Sequence, residues 1–139
     1  MIGSGTDVFT IVAPGEPVAM GRPRFSRNGH TYTPEKSRMA VRTLAALLRL
    51  SGGKKRFPVG AVSLQIRFVM GIPKSQQARI DGTPCTKRPD TDNLVKLVCD
   101  SATEAGVWSD DSQVTSIAAS KEWGFEPRTE ITIRAIVAE

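Results

Sequence analysis

Residues 62–70 read Val62-Ser63-Leu64-Gln65-Ile66-Arg67-Phe68-Val69-Met70. Val62, Leu64, Ile66, Phe68 and Met70 fall on one side of an extended chain, and Ser63, Gln65 and Arg67 fall on the other. That period of two marks a half-buried strand, whose apolar side needs a second layer to cover it. Upstream, Thr33-Pro34 predicts a helix start, with Thr33 as cap and Pro34 in the first turn. The helix is expected to run to about Leu50. Its apolar face is Ala40, Val41, Leu44, Leu47 and Leu48, and Ser51-Gly52-Gly53 is its stop. Arg38, Arg42 and Arg49 form a stripe beside that face. Asp7 to Ala13 reads as a short strand ended by Pro14-Gly15. Gly21 to Gly29 is a basic loop too rich in Gly and Pro for a regular element.

Downstream, a loop of about 18 residues precedes a second helix that starts near Asp92. Leu94, Leu97, Val98, Ser101, Ala102 and Ala105 recur at helical spacing, and Gly106 is placed to end it. Val114 to Trp123 and Thr129 to Val137 read as two strands joined by Gly124 to Arg128. The order β-α-β-α-β-β predicts an α+β domain with helices packed on a mixed or antiparallel sheet. Residues 1–6 read as a flexible leader and 7–139 as a single domain.

Composition narrows the function classes. Apolar residues are 40% and charged residues 24% of the chain, a globular balance that a disordered or fibrous chain does not have. No run approaches the ~20 apolar residues of a membrane helix, and no secretion signal opens the chain, so no membrane partner is expected. Cys85 and Cys99, without neighbouring ligand-type residues, make neither a zinc site nor a disulfide framework, which points to a reduced intracellular setting. Glycines at phosphate-cradling spacing are missing, so nucleotide triphosphate use is not expected.

The net charge is +5, and it is unevenly distributed. Between residues 90 and 111, six acids face Lys96 alone, a local charge of −5, which leaves +10 on the remainder. A basic body favours a polyanion, and an acidic island within it repels that polyanion unless a bound divalent cation neutralises it. Arg88-Pro89-Asp90-Thr91-Asp92-Asn93-Leu94-Val95-Lys96 places two carboxylates, a carboxamide and a lysine at a helix start. On a helical wheel Asp92 and Lys96 point away from the apolar side, with Asp100 near their edge. Asp110-Asp111 follows in a turn before a strand. Two or three such carboxylates suit Mg²⁺, with Mn²⁺ as substitute, and phosphate oxygens as further ligands.

Each position also has an ordinary structural use. Asp at a helix start caps it for about 0.5–2 kcal/mol, Asp92 and Lys96 form an i, i+4 pair of about 0.2–0.5 kcal/mol, and Asp110-Asp111 initiates a turn. Those uses explain the residues singly but leave the acidic window as coincidence. His30, the only histidine, has no triad or zinc partners nearby in sequence. Trp108 and Trp123 have two uses, core packing or stacking on unpaired bases.

The blocks Asp90-x-Asp92-Asn93-Leu94-x-Lys96-x-x-x-Asp100 and Ala105-Gly106-Val107-Trp108-x-Asp110-Asp111-x-Gln113-Val114 resemble the RusA family of Holliday junction resolvases. The resemblance implies a small homodimeric, Mg²⁺-dependent endonuclease acting on four-way DNA junctions in recombination and repair. It also implies a bacterial cytoplasmic setting, often with phage or prophage encoding. It makes Asp90, Asp92 and Asp111 the essential metal-site acids and Lys96 an essential cation, with Asn93, Asp100 and Asp110 in support. Arg22, Arg24, Arg27, Arg38, Arg42, Arg49, Lys54, Lys55 and Arg56 are then expected on DNA phosphates. Two other readings stand beside it: a non-catalytic DNA-binding module, and a metal nuclease for other branched or linear DNA.

Overall fold

In the computed structural model, which describes residues 7–74 and 80–137, the chain is a single α+β domain. The leader expected over residues 1–6 lies outside the described residues. The order is β1 (Val8–Pro14), β2 (Arg24–Phe25), β3 (Thr31–Tyr32), α1 (Glu35–Leu50), β4 (Val62–Gly71), α2 (Thr91–Ala105), β5 (Val114–Gly124) and β6 (Arg128–Ala135). The four long strands form one mixed sheet ordered β1-β6-β4-β5. β6 pairs antiparallel with both β1 and β4, while β4 and β5 run parallel.

The apolar alternation of β4 is realised: Val62, Leu64, Ile66, Phe68 and Met70 are buried, and Gln65 and Arg67 are exposed. Val69 is also buried although it sits on the opposite face from Phe68. Gly124 lies against it where any Cβ would collide with the Val69 side chain, so the missing side chain lets that edge close over Val69. The core is shared by β4, Ile131 and Ile133 of β6, and the apolar side of α2. All six residues expected on that side of α2 are buried, and Gly106 ends the helix in the left-handed conformation at φ 73°.

Two local expectations are corrected. Thr33 does not cap α1. Pro34 occupies the cap position with extended ψ, and no side-chain cap hydrogen bond forms. The buried Ser37 hydroxyl instead accepts from the Gly21 backbone N–H at 2.8 Å and ties the preceding loop to the first turn. Within the basic segment read as irregular, β2 and β3 make a small hairpin, with Arg24 opposite Tyr32 and Phe25 opposite Thr31. Strands of two residues carry no periodicity that a sequence pattern reveals.

The sheet face away from the helices carries a ladder of charge. Arg67 of β4 bonds Glu122 at 2.7 Å and Glu130 at 3.3 Å, and Arg128 also donates to Glu130 at 2.7 Å. Hydrogen bonds from Arg67 hold the Glu122 carboxyl below its ordinary range, and those from Arg128 and then Arg67 do the same for Glu130. A carboxylate with a lowered folded pKa adds stability above its unfolded value and loses it as pH falls through the folded one. Glu122→Gln is therefore expected to lower the melting temperature by a few degrees at pH 7. The deficit should shrink as pH drops below the ordinary glutamate value of 4.5, a trend that thermal melts across pH will show.

Candidate active site and nucleic-acid interface

The start of α2 presents carboxylates that the fold does not use. Asp90 is the N-cap residue, and its backbone carbonyl accepts from the Leu94 N–H at 3.2 Å. Its exposed carboxylate makes no capping hydrogen bond. Asp92, in the first turn, accepts from the adjacent Asn93 N–H at 2.9 Å. Lys96 Nζ lies 3.6 Å from Asp100 Oδ2 in a solvent-exposed pair, a kind of contact that contributes under about 1 kcal/mol and leaves the ammonium easy to redirect. Asn93 contributes through its backbone, accepting from the Met20 N–H at 2.9 Å.

Asp110 and Asp111 are neighbours with different tasks. Asp110 and Gln113 form a reciprocal capping box on a single 3-10 turn spanning Asp111–Gln113. The Ser112 backbone N–H, with Asp111 also in contact, holds the Asp110 carboxyl below its usual range. Gln113 anchors the turn, accepting from the Ser109 and Asp110 N–H groups and donating to the Phe57 and Gly60 carbonyls. Asp110 is therefore a turn former, and this leaves Asp111 exposed beside it.

That turn flanks the middle of α2. Burial pushes the Cys99 thiol up to about 11, and the nearby negative charges of Asp100 and Asp111 push the same way against Lys96. Cys99 is thus a protonated packing residue at neutral pH. Asp90 stands about 14 Å from Cys99 along the helix axis, by the rise per residue. Among the described residues no three His, Cys, Asp or Glu side chains gather into one metal-holding group. Asp90, Asp92 and Asp111 lie on the same acidic helix and its flanking turn. Their hard oxygens fit Mg²⁺, which uses one or two carboxylates and fills its octahedron with waters and phosphate oxygens.

Lys121 of β5 is the site residue that sequence reasoning missed. Its Nζ donates to the carbonyls of Lys87 at 2.5 Å and Pro89 at 2.7 Å, the residues leading into Asp90. The same stretch is stitched to β5 through the backbone, by Cys85 N–H to Lys121 O and Trp123 N–H to Thr83 O. The turn that presents Asp90 is thereby fixed to the sheet. A signal was present: Lys121 pairs in register with Phe68, so a lysine stands on the apolar side of a strand.

The expected phosphate-binding cations divide. Arg22 and Arg24 line a groove of about 1100 Å³ with Lys36, Arg88, Asp90 and Asn93. Arg27 is exposed in the β2–β3 hairpin. Arg42 is exposed without an ion pair among the described residues, Arg38 is paired to Glu35 at 2.7 Å, and Arg49 donates to the Glu104 carbonyl. Lys54 and Lys55 are exposed at the far end of α2, where the Lys55 N–H bonds the Gly106 carbonyl. Arg56 is bound to Asp7, the Val8 carbonyl and the Phe9 ring, contacts that hold β1 in place. Trp108 is buried, with its indole N–H on the Thr103 hydroxyl, and so belongs to the core; Trp123 is half-buried.

The family model of endodeoxyribonuclease RusA matches residues 14–134, from the end of β1 to the end of β6. The chain belongs to the RusA family. It is 36% identical over 141 residues to the uncharacterized protein YqaN of Bacillus subtilis (strain 168), covering 94% of this chain and 96% of that one. Acidic α2, Lys121 and the basic hairpin all fall inside the span matched to RusA endodeoxyribonuclease.

Lys121→Met keeps the aliphatic stem and removes the donors that seat Asp90. DNA cleavage is expected to fall roughly 10- to 100-fold, since displacement of about 1 Å at a reacting centre costs that much. The same change should add nothing in an Asp90→Asn background, a comparison made by cleavage time courses on both single variants and the double variant.

Proposed function

We propose that this chain is a Mg²⁺-dependent endonuclease that nicks four-way DNA junctions as a homodimer. Its setting is recombination and repair in the bacterial cytoplasm, in a host or phage genome. The observation that carries the reading is the pair of exposed carboxylates at the start of α2, Asp90 and Asp92, neither in an ion pair among the described residues, with Asp90 opening onto a groove lined by Arg22, Arg24, Lys36 and Arg88. A binding module gains nothing from keeping uncompensated acids beside DNA, whereas a phosphodiester hydrolase needs them.

Asp90, Asp92 and Asp111 would hold the cation, which when bound supplies Lewis acidity at phosphorus and a more acidic water. Lys96, held only by its exposed contact with Asp100, turns to the phosphoryl oxygens and stabilises the charge that builds there. The groove cations hold the strand by its phosphates and give register without base sequence. Asp110, Gln113 and Lys121 keep the acid-bearing turns in place.

The open part of the β5 edge favours two copies. The outer edge of β5 is covered by the 82–85 stretch from Lys121 to Trp123, but from Thr115 to Ser120 it is exposed, and among the described residues no backbone group outside β4 pairs with that part. An unpaired edge is a template for another strand. Two-fold antiparallel pairing of two such edges sets the start of one β5 against the end of the other. That brings the partner's Asp111 toward the Lys121 end of β5, where Asp90 is held. It also yields two sites at fixed separation, as the two opposed nicks of junction resolution require.

The test is a four-way junction and a linear duplex of equal sequence, with and without Mg²⁺. The native chain should nick the junction only with the cation. Asp92→Asn should lose more than the roughly 10- to 100-fold typical of groups that merely support a metal ligand, while folding and junction binding persist. A native chain that binds the junction without nicking it leaves the binding-module reading in place, and unchanged turnover in Asp92→Asn removes that residue from the metal site. In the second experiment, inactive Asp90→Asn and Asp111→Asn proteins are mixed. If sites form across the two-fold axis, mixed dimers carry one intact site and nicking reappears; continued inactivity places each site within one chain.

A further inference from the structure

We propose that the β2–β3 hairpin is a base-stacking element, with Phe25 as the platform for an unpaired base at the branch of the DNA. This rests on the junction reading above and names the part of the chain that tells branched DNA from duplex. Phe25 is 76% exposed on a hairpin whose turn is closed by the Ser26 N–H to the His30 carbonyl at 2.7 Å. By register, Phe25 stands with Thr31 on one face of the hairpin, and Arg24 stands opposite Tyr32, itself 51% exposed, on the other. Between Glu16 and Glu35 the chain carries no acid, while Arg22, Arg24 and Arg27 flank the aromatic ring in sequence. An aromatic face set among cations is the combination that binds unpaired nucleic acid, because every base has a π face and every nucleotide a phosphate.

The hairpin is also aimed. Its foot is fixed to both helices, through the Gly21 N–H on the Ser37 hydroxyl of α1 and the Met20 N–H on the Asn93 carbonyl of α2. Gly21 allows that approach, since a Cβ there would press on Pro34 and Ser37 at 3.1 Å. The groove that holds Arg22 and Arg24 at this foot also holds Asp90. A strand laid in the groove therefore meets both the foot of the hairpin and Asp90. Phosphate contacts alone do not separate a junction from a duplex. Bases within a duplex are stacked on one another and offer no free face, whereas a branch point exposes one.

The experiment measures binding in EDTA, so that no strand is cut, for the native chain, Phe25→Ala and Phe25→Tyr. The ligands are a four-way junction, a linear duplex of equal sequence and a gapped duplex with unpaired thymines. Phe25→Ala should weaken junction and gapped-duplex binding roughly 5- to 150-fold, the range for one lost base–aromatic stack, and change duplex binding by less than about twofold. Phe25→Tyr should restore native binding. No loss on either branched ligand, or equal loss on all three, overturns the proposal. So does a change of oligomeric mass in Phe25→Ala by light scattering, which would make the ring a protein contact. A native chain that binds junction and duplex equally defeats the junction reading instead, and the gapped-duplex comparison still decides the stacking.

Discussion

The parallel pairing of β4 with β5 is the constraint on which the rest of the molecule depends. Antiparallel neighbours can be joined by a tight turn, but parallel ones need a crossover that returns the chain to the starting edge. Here the crossover is the 80–90 stretch with α2, which leaves β4 at Gly71 and delivers the chain to Val114. Its first turn is therefore set at the carboxyl end of β5, where Lys121 holds it, and its exit turn at the amino end, where Gln113 holds it. The two acidic blocks of the sequence occupy these two ends. Burial of Leu94, Leu97 and Val98, each worth about 1.5–3 kcal/mol, fixes the roll of the helix and so turns Asp92 and Lys96 outward.

Polar side chains divide into those the fold consumes and those it leaves available. Asp110, Gln113, Ser37, Arg56 and the Arg67–Glu122–Glu130–Arg128 ladder each have satisfied partners that hold a turn, a loop or a sheet face. Asp90, Asp92 and Asp111 have no ion-pair partners among the described residues, even though Arg and Lys outnumber the acids in the chain. Their carboxylates are thus not consumed in holding the fold together, which leaves them available to a ligand. The basic residues follow the same division: Arg56 is structural, whereas Arg22, Arg24 and Arg42 remain open to solvent.

Much of the architecture was legible because it follows from local periodicity. The 3.6-residue recurrence from Leu94 to Ala105, the left-handed stop at Gly106 and the alternation from Val62 to Phe68 are properties of neighbouring residues, and burial at those positions followed. What local periodicity left undecided, and the one cap it misassigned, were places where a distant part of the chain takes over. Ser37, not Thr33, ties down the start of α1, since Gly21 arrives from sixteen residues upstream. Val69 is buried because Gly124 has no side chain to hold the sheet open. Trp108 is committed to the core, with its indole N–H on the hydroxyl of Thr103 in the last turn of α2, while Phe25, Tyr32 and Phe125 are the exposed aromatics among the described residues.

By itself the sequence determined the element types, the apolar sides, the concentration of six acids in 22 residues and the motif blocks that place the chain in its family. Those are one-dimensional properties, carried by spacing and residue chemistry. Tertiary structure alone decided which polar groups are occupied. Asp110 and Asp111 are indistinguishable in sequence, but only Asp110 meets the Ser112 N–H. Lys121 is an ordinary strand lysine until the crossover brings the Lys87 and Pro89 carbonyls within reach. The placement of Asp111 is likewise tertiary, because the turn after α2 folds back along the helix and brings Asp111 within electrostatic reach of Cys99 in its middle.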